Sequence, residues 1–190
     1  MFAAPDELRE RLKTASRATV AAQAAALRPR RDRDPVLFAT KTALRILGRR
    51  VLALADEADE LDVLLAELVT ATAPQLLDIH GVGVDTAAIL LTAVGDNPER
   101  MSSEAAFARL CGVAPLEASS GKVTRHRLNR GGNRQANHAL WRIVMNRMSN
   151  DPRTRTYVAR RLNEGRSKPE VIRILKRYVA REIYPVLRGC

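Results

Sequence analysis

Apolar residues recur at helical spacing along most of the chain, and a few prolines and glycines punctuate them. Residues 6–27 place Leu8, Leu12, Ala15, Thr19, Ala22 and Ala26 on one stripe, which predicts a first helix. Its small side chains would let a partner helix approach closely. The segment Arg28–Pro35 holds two prolines among charged residues and reads as a turn between helices. From 36 to 70 the spacing alternates between three and four through Leu44, Leu47, Val51, Leu54, Ala58, Leu61, Leu65 and Leu68. That heptad seam predicts a coiled-coil helix of about 50 Å. Its stripe must be covered by the 6–27 helix folded back on it, or by the same helix of a second chain. Pro74 ends it.

Beyond Pro74 the pattern predicts helices over 75–95, 103–111, 134–149, 152–164 and 169–187, with glycine joints at Gly81/Gly83 and Gly95. Residues 112–132 lack helical periodicity and read as a loop, with a short hairpin around Val123. Asn133 is placed to cap the helix that starts near Arg134. The last helix carries Val171, Ile172, Leu175, Tyr178, Val179, Ile183 and Leu187 on one side, and Arg173, Lys176, Arg177 and Arg181 on the other. The expected fold class is therefore mainly α. A long coiled-coil helical hairpin over 1–73 precedes a compact helical domain over 74–190, with a helix-hairpin-helix element and a serine-bearing loop.

Composition supports this reading: 29 alanines with only 4% aromatic residues favour helices over a β-sandwich. No apolar stretch approaches the roughly 18 residues that a membrane span needs, and the N-terminus mixes acids and bases where a signal peptide would be apolar. Cys111 and Cys190 are too few and too far apart for a disulfide framework or a zinc ligand set, so a cytoplasmic setting is expected. Charge changes the picture more. Residues 1–118 sum to −3 and residues 119–190 to +14, and arginine outnumbers lysine 27 to 5. Such a concentrated positive end is suited to a polyphosphate partner, and the arginine fork to phosphate oxygens and base edges.

Three segments carry candidate chemistry. Leu76–Leu90 runs from a short apolar stretch through His80-Gly81-Val82-Gly83 into an apolar helix. Glycines there allow a tight turn that points helix-start N–H groups at a phosphate, with the helix dipole adding attraction. A turn needed for packing alone gives the same pattern. His80 reads as a turn residue, because no second His or Cys lies at ligand spacing. The second segment, Cys111–Asn133, bends at Ser119-Ser120-Gly121 and continues into Lys122, Arg125, His126, Arg127 and Arg130. A serine hydroxyl becomes a nucleophile only with its proton removed and its target charge-stabilised, and arginines beside a phosphate meet the second need. A Ser-Ser-Gly bend can equally be only a turn. The third segment is the basic tail with Arg153, Arg155, Arg160, Arg161, Arg166 and Lys168. Trp141, beside Leu140, Ile143 and Val144, reads as core, and Tyr157 is a weaker candidate for base stacking. The acids Asp56, Glu57, Asp59, Glu60 and Asp62 fan around the long helix and read as a solvated face.

The run HGVGVDTAAILLTAVGD followed by FARLCGVAPLEASSGKVTRHRLNRGGNRQANHALWRIVM resembles the C-terminal half of the Piv-like, bridge-RNA-guided transposases of the IS116/IS110/IS902 type. The resemblance covers nearly the whole chain, the 36–70 helix matching the coiled-coil linker. It implies a part that works with an N-terminal RNase H-like domain, whose four acidic residues bind Mg2+, in a composite site that cuts and rejoins DNA. By position in the SSG motif the implied nucleophile is Ser120, with Ser119 the alternative, and the product a transient phosphoserine link. Gly81 and Gly83 carry over as the turn element. Lys122, Arg125, Arg127, Arg130, Arg134, Arg153 and Arg155 are the expected nucleic-acid contacts. Implied partners are DNA, a bridge RNA and a second copy through the heptad helix, with no membrane. The chain starts at the linker, so the expectation is a truncated form that binds no metal or other cofactor itself and is inactive alone; the alternative is a non-catalytic helical module for nucleic-acid binding or dimerisation.

Overall fold

The computed structural model describes residues 6–13, 16–31, 34–95, 101–117, 126–127, 129 and 131–189. The chain divides into two compact units, Met1–Val63 and Leu64–Cys190, and the division falls inside a helix. Among the described residues the architecture is mainly α, as the periodicity predicts: eight α-helices, one 3-10 turn and a pair of two-residue strands.

The first unit holds α1 (Asp6–Lys13), α2 (Arg17–Ala25) and most of α3 (Pro35–Thr72). The single helix expected over 6–27 is two. Ser16 is extended and accepts a hydrogen bond from the Thr19 amide at 3.3 Å, so it restarts the helix as a cap. The restart also turns the stripe: Ala21, Ala24 and Leu27 are buried, whereas Thr19, Ala22 and Ala26 face outward. The expected close approach nevertheless occurs. A Cβ built on Gly48 of α3 would stand 2.6 Å from the Ala25 nitrogen and 2.7 Å from the Ala21 oxygen, so α2 lies directly on the α3 backbone there. Asp34 caps α3 through the Val36 and Leu37 amides, at 2.9 and 3.2 Å, and Pro35 fills the first helical position. At the far end Thr72 precedes Ala73 and Pro74, where the helix gives way to the 3-10 turn Pro74–Leu76. Asp56, Glu57, Asp59, Glu60 and Asp62 are all exposed.

The second unit continues through α4 (Val84–Gly95), α5 (Glu104–Leu110), β1 (Leu116–Glu117), β2 (His126–Arg127), α6 (Arg134–Asn150), α7 (Pro152–Asn163) and α8 (Lys168–Arg188). Helix α6 is its axis, packed against α4, α7 and α8, while α5 packs on α8. The axis buries Ala136, Ala139, Leu140, Ile143 and Val144, all on one helical stripe, against Leu76, Leu90, Phe107, Val171 and Ile183. Burying each of the leucine, isoleucine, valine and phenylalanine side chains in this set contributes about 1.5–3 kcal/mol, which makes this unit's core the dominant stabilising term. Tyr178, expected inward, is 49% exposed, and Tyr184 takes the inward place beside Phe107 with its hydroxyl donating to the Met101 carbonyl. No described helix is long and apolar enough to cross a membrane.

Candidate nucleic-acid interface

The two glycines of the Gly-Val-Gly turn have different jobs. Gly81 has φ +82°, a left-handed conformation that disfavours any side chain. A Cβ there would also meet Arg147 Cγ at 3.2 Å and the Ile143 carbonyl at 3.3 Å. Gly83 is exposed, has no positive φ, and has nothing within 4 Å of where a Cβ would stand. Its carbonyl accepts from the Ala87 amide, and its own amide donates to Thr86 Oγ1 at 3.0 Å, so Thr86 reaches back to fix the start of α4. Arg147 of α6 holds the turn from behind. Its Nε donates to the His80 carbonyl at 2.7 Å and its Nη1 pairs with Glu182 of α8 at 2.8 Å. Asp85, in the first turn of α4, would repel a phosphate, but Arg142 of α6 neutralises it at 3.0 Å.

The base of the 111–133 loop is closed tightly. A Cβ on Gly132 would fall 2.3 Å from the Gly112 nitrogen and 2.4 Å from Gly112 Cα, so the two backbone strands touch. Gly112 itself has φ +65°. The Asn133 amide donates to the Leu110 carbonyl at 2.6 Å, and Asn129 Nδ2 donates to the Arg109 carbonyl at 3.2 Å. Asn137 Nδ2 reaches the Cys111 and Gly112 carbonyls at 2.8 and 3.2 Å, while Lys176 Nζ of α8 donates to Asn137 Oδ1 at 2.9 Å. Burial, with the neighbouring Arg173, pulls the Lys176 ammonium below the usual lysine range. Burial pushes the Cys111 thiol up to about 12, so this free cysteine is an inert core residue. Asn133 caps α6 through the Ala136 amide at 3.0 Å, as its position in the sequence predicts. Above this base β1 and β2 pair antiparallel, Leu116 opposite Arg127 and Glu117 opposite His126. Ser119, Ser120, Lys122, Val123, Arg125 and Arg130 lie outside the described residues, and Arg127 is described only as β2 backbone.

The remaining expected contacts fall at two ends of α6. Arg134 is exposed at its start, next to the loop base. Arg153 and Arg155 are exposed in the first turns of α7, whose cap Asp151 donates its amide to the Arg147 carbonyl at 2.8 Å. The Thr154 hydroxyl above all, then the Arg153 and Thr154 amides, hold the Asp151 carboxyl below the usual carboxylate range. The glycine turn therefore shares the Arg147 end of α6 with Arg153 and Arg155. The loop base lies at the Arg134 end, about 20 Å away along the helix. Arg160 and Arg161 pair with Glu164, and both guanidinium groups also lie over the Tyr157 ring, which meets Tyr178 edge-on at 6.0 Å.

One expectation is reversed. Trp141 is 39% exposed instead of core, its ring stacked on His138 at 5.5 Å. Its apolar neighbours suggest core, but its phase on the helix places it outside. Positions 136, 139, 140, 143 and 144 form the buried stripe, and 141 lies with 134, 138 and 145 on the other side. Arg147, Asn137 and Lys176 were missed altogether. Each acts through a partner 25 or more positions away, so no local pattern marks it.

Among the described residues no group of three or more His, Cys, Asp or Glu side chains is arranged to hold a metal ion. These features define a mainly α domain with a glycine-turned helix start and a clamped loop. Residues 73–159 match the Transposase IS116/IS110/IS902 family, and that segment is a domain of this family. The chain is 35% identical over 116 residues to the insertion element IS110 uncharacterized 43.6 kDa protein of Streptomyces coelicolor, covering 60% of this chain and 28% of that protein. It is 27% identical over 150 residues to the insertion element IS900 uncharacterized 42 kDa protein of Mycobacterium paratuberculosis, covering 77% of this chain and 38% of the relative. The chain thus spans well under half the length of the curated relatives it matches.

Proposed function

We propose that this chain supplies the DNA-contacting, serine-bearing part of an insertion-sequence transposase that cuts and rejoins DNA. The observation that carries the reading is the family domain at 73–159, which spans both the glycine turn and the clamped loop. In the proposed step the Ser120 hydroxyl, or that of Ser119, attacks a backbone phosphorus. The serine proton leaves to a base, the phosphorus–oxygen bond to the departing strand breaks, and that strand leaves as a hydroxyl. A second strand's hydroxyl then displaces the serine and restores a phosphodiester. Lys122, Arg125, Arg127 and Arg130 follow the serine in sequence and suit the charge that builds on the phosphoryl oxygens. Gly81, Gly83, Arg134, Arg153 and Arg155 would hold the backbone of the nucleic acid, each neutralised phosphate steepening the salt dependence of log affinity by about 0.9.

The test supplies the metal-binding part of an insertion-element relative in trans and follows recombined DNA. Ser120→Ala should abolish joined product while leaving nucleic-acid affinity as in the parent, with Ser119→Ala as the comparison. Undiminished joining by both variants would overturn the serine chemistry. The chain alone should bind nucleic acid without turning it over, and a bridge RNA bound as tightly as DNA would extend the reading to RNA.

A specific observation also favours self-association. The seam residues Leu47, Val51, Leu54, Leu61 and Leu68 are between 51% and 65% exposed, so α2 does not cover the heptad stripe. A second copy of α3 would bury it. Leu47→Glu with Leu54→Glu should convert a dimer to a monomer in light-scattering measurements at unchanged helicity. A parent chain that is monomeric at high concentration would refute this.

A further inference from the structure

Helix α6 presents two unlike faces. One is the axis of the core; the other carries Arg134, His138, Trp141, Arg142 and the half-buried Met145, at successive helical turns. Trp141 leaves 39% of its surface in water. An indole joins a large apolar ring to a polar edge, which suits a position where one side packs on the protein and the other meets a partner. The His138 ring lies 5.5 Å from it at 23°, a near-parallel stack that fixes the orientation of the indole. Arg142 follows at once, its side chain 43% exposed, and its ion pair with Asp85 ties this face to the start of α4 just beyond Gly83. Arg134 is exposed one turn before His138.

We infer that this outward stripe of α6 is a platform for an unpaired nucleobase, which stacks on Trp141 with the exposed Arg134 beside its phosphates, while Arg142 stays paired with Asp85 at the edge of the platform. The inference rests on the nucleic-acid reading above and adds which form of nucleic acid is taken. The chemistry selects among partners. A duplex keeps its base faces stacked on one another and offers phosphates and base edges, which need arginine but no indole. A single strand or loop exposes base faces, and aromatic rings beside basic side chains are what hold them. A protein partner is disfavoured because a single ring rimmed by two arginines and a histidine is far smaller than the roughly 800 Å² per side of a stable interface.

Because Trp141 is the only tryptophan, its fluorescence reports on this site alone. The full chain is titrated with an oligothymidylate and an oligouridylate of about 12 nucleotides and with a duplex of mixed sequence, binding being followed independently by anisotropy of labelled probes. Single strands should quench the emission strongly at saturation and the duplex should change it little. The two single-stranded probes distinguish DNA from RNA as the source of the base. Trp141→Ala should weaken single-strand binding about tenfold and leave duplex binding within about twofold, while Trp141→Phe should retain most of the affinity. Wild-type quenching needs no variant to fold, so a misfolded alanine variant would not blunt the test. Single-strand binding seen by anisotropy with silent fluorescence, or equal quenching by duplex and single strand, overturns the platform and leaves the general reading intact. Absence of binding to every probe overturns both.

Discussion

Gly132→Ala should lower the thermal midpoint of the chain by roughly 10 °C and abolish any joining activity reconstituted in trans. Its added methyl carbon would stand 2.3 and 2.4 Å from two backbone atoms of Gly112 and 2.9 Å from the Leu110 carbonyl. None of these is the end of a flexible side chain, so one backbone strand must move by more than an ångström. The movement would break the 2.6 Å hydrogen bond from the Asn133 amide to Leu110 and disturb the Asn133 cap on α6. Overpacking with loss of a cap costs about 3 kcal/mol. Gly131→Ala is the matched control. Its methyl would lie in ordinary contact, 3.6 Å from Asn129 Oδ1, on an exposed residue. Calorimetry should find that control within a degree or two of the parent. A stable Gly132→Ala variant with full activity would show that the proposed serine chemistry does not depend on a closed loop base.

The contrast between neighbouring glycines shows what a sequence can and cannot tell. Local physics is legible: Pro74 following the end of α3 and Asn133 capping α6 are decided within four residues, whereas Asp34 and Pro35, read as part of the turn, in fact cap and open α3. The heptad seam is legible for the same reason, since its period is a property of one helix. The break at Ser16 is harder. Alanines on either side favour a continuous helix, and one serine hydrogen bond decides the restart. What escaped the sequence was set across distance. The Gly112–Gly132 contact, the Lys176–Asn137 bridge and the Arg147 brace join segments whose meeting depends on how α4, α6 and α8 pack. The arginine-rich end is visible in composition, yet its division between the two ends of α6 is not.

Gly81 and Gly83 look interchangeable in the sequence, and their substitutions should separate folding from binding. Gly81→Val forces a β-branched residue into the left-handed region at φ +82° and presses it on Arg147 Cγ and the Ile143 carbonyl. Those effects together cost about 3 kcal/mol, so stability and nucleic-acid affinity should fall together. Gly83→Ala should behave differently. Open space surrounds its new methyl, and exchanging glycine for alanine at a helix start costs only about 0.5–1 kcal/mol. If a phosphate approaches the α4 N-terminus, that methyl stands in its path, and affinity for DNA should drop about tenfold at low salt with the fold intact. The measurement is a pair of curves for each variant: thermal denaturation, and binding against salt concentration. Unchanged affinity in Gly83→Ala would mean that the turn serves packing alone. The anion-binding groups would then have to be Arg134, Arg153 and Arg155, whose removal should flatten the salt dependence by about 0.9 for each phosphate no longer neutralised.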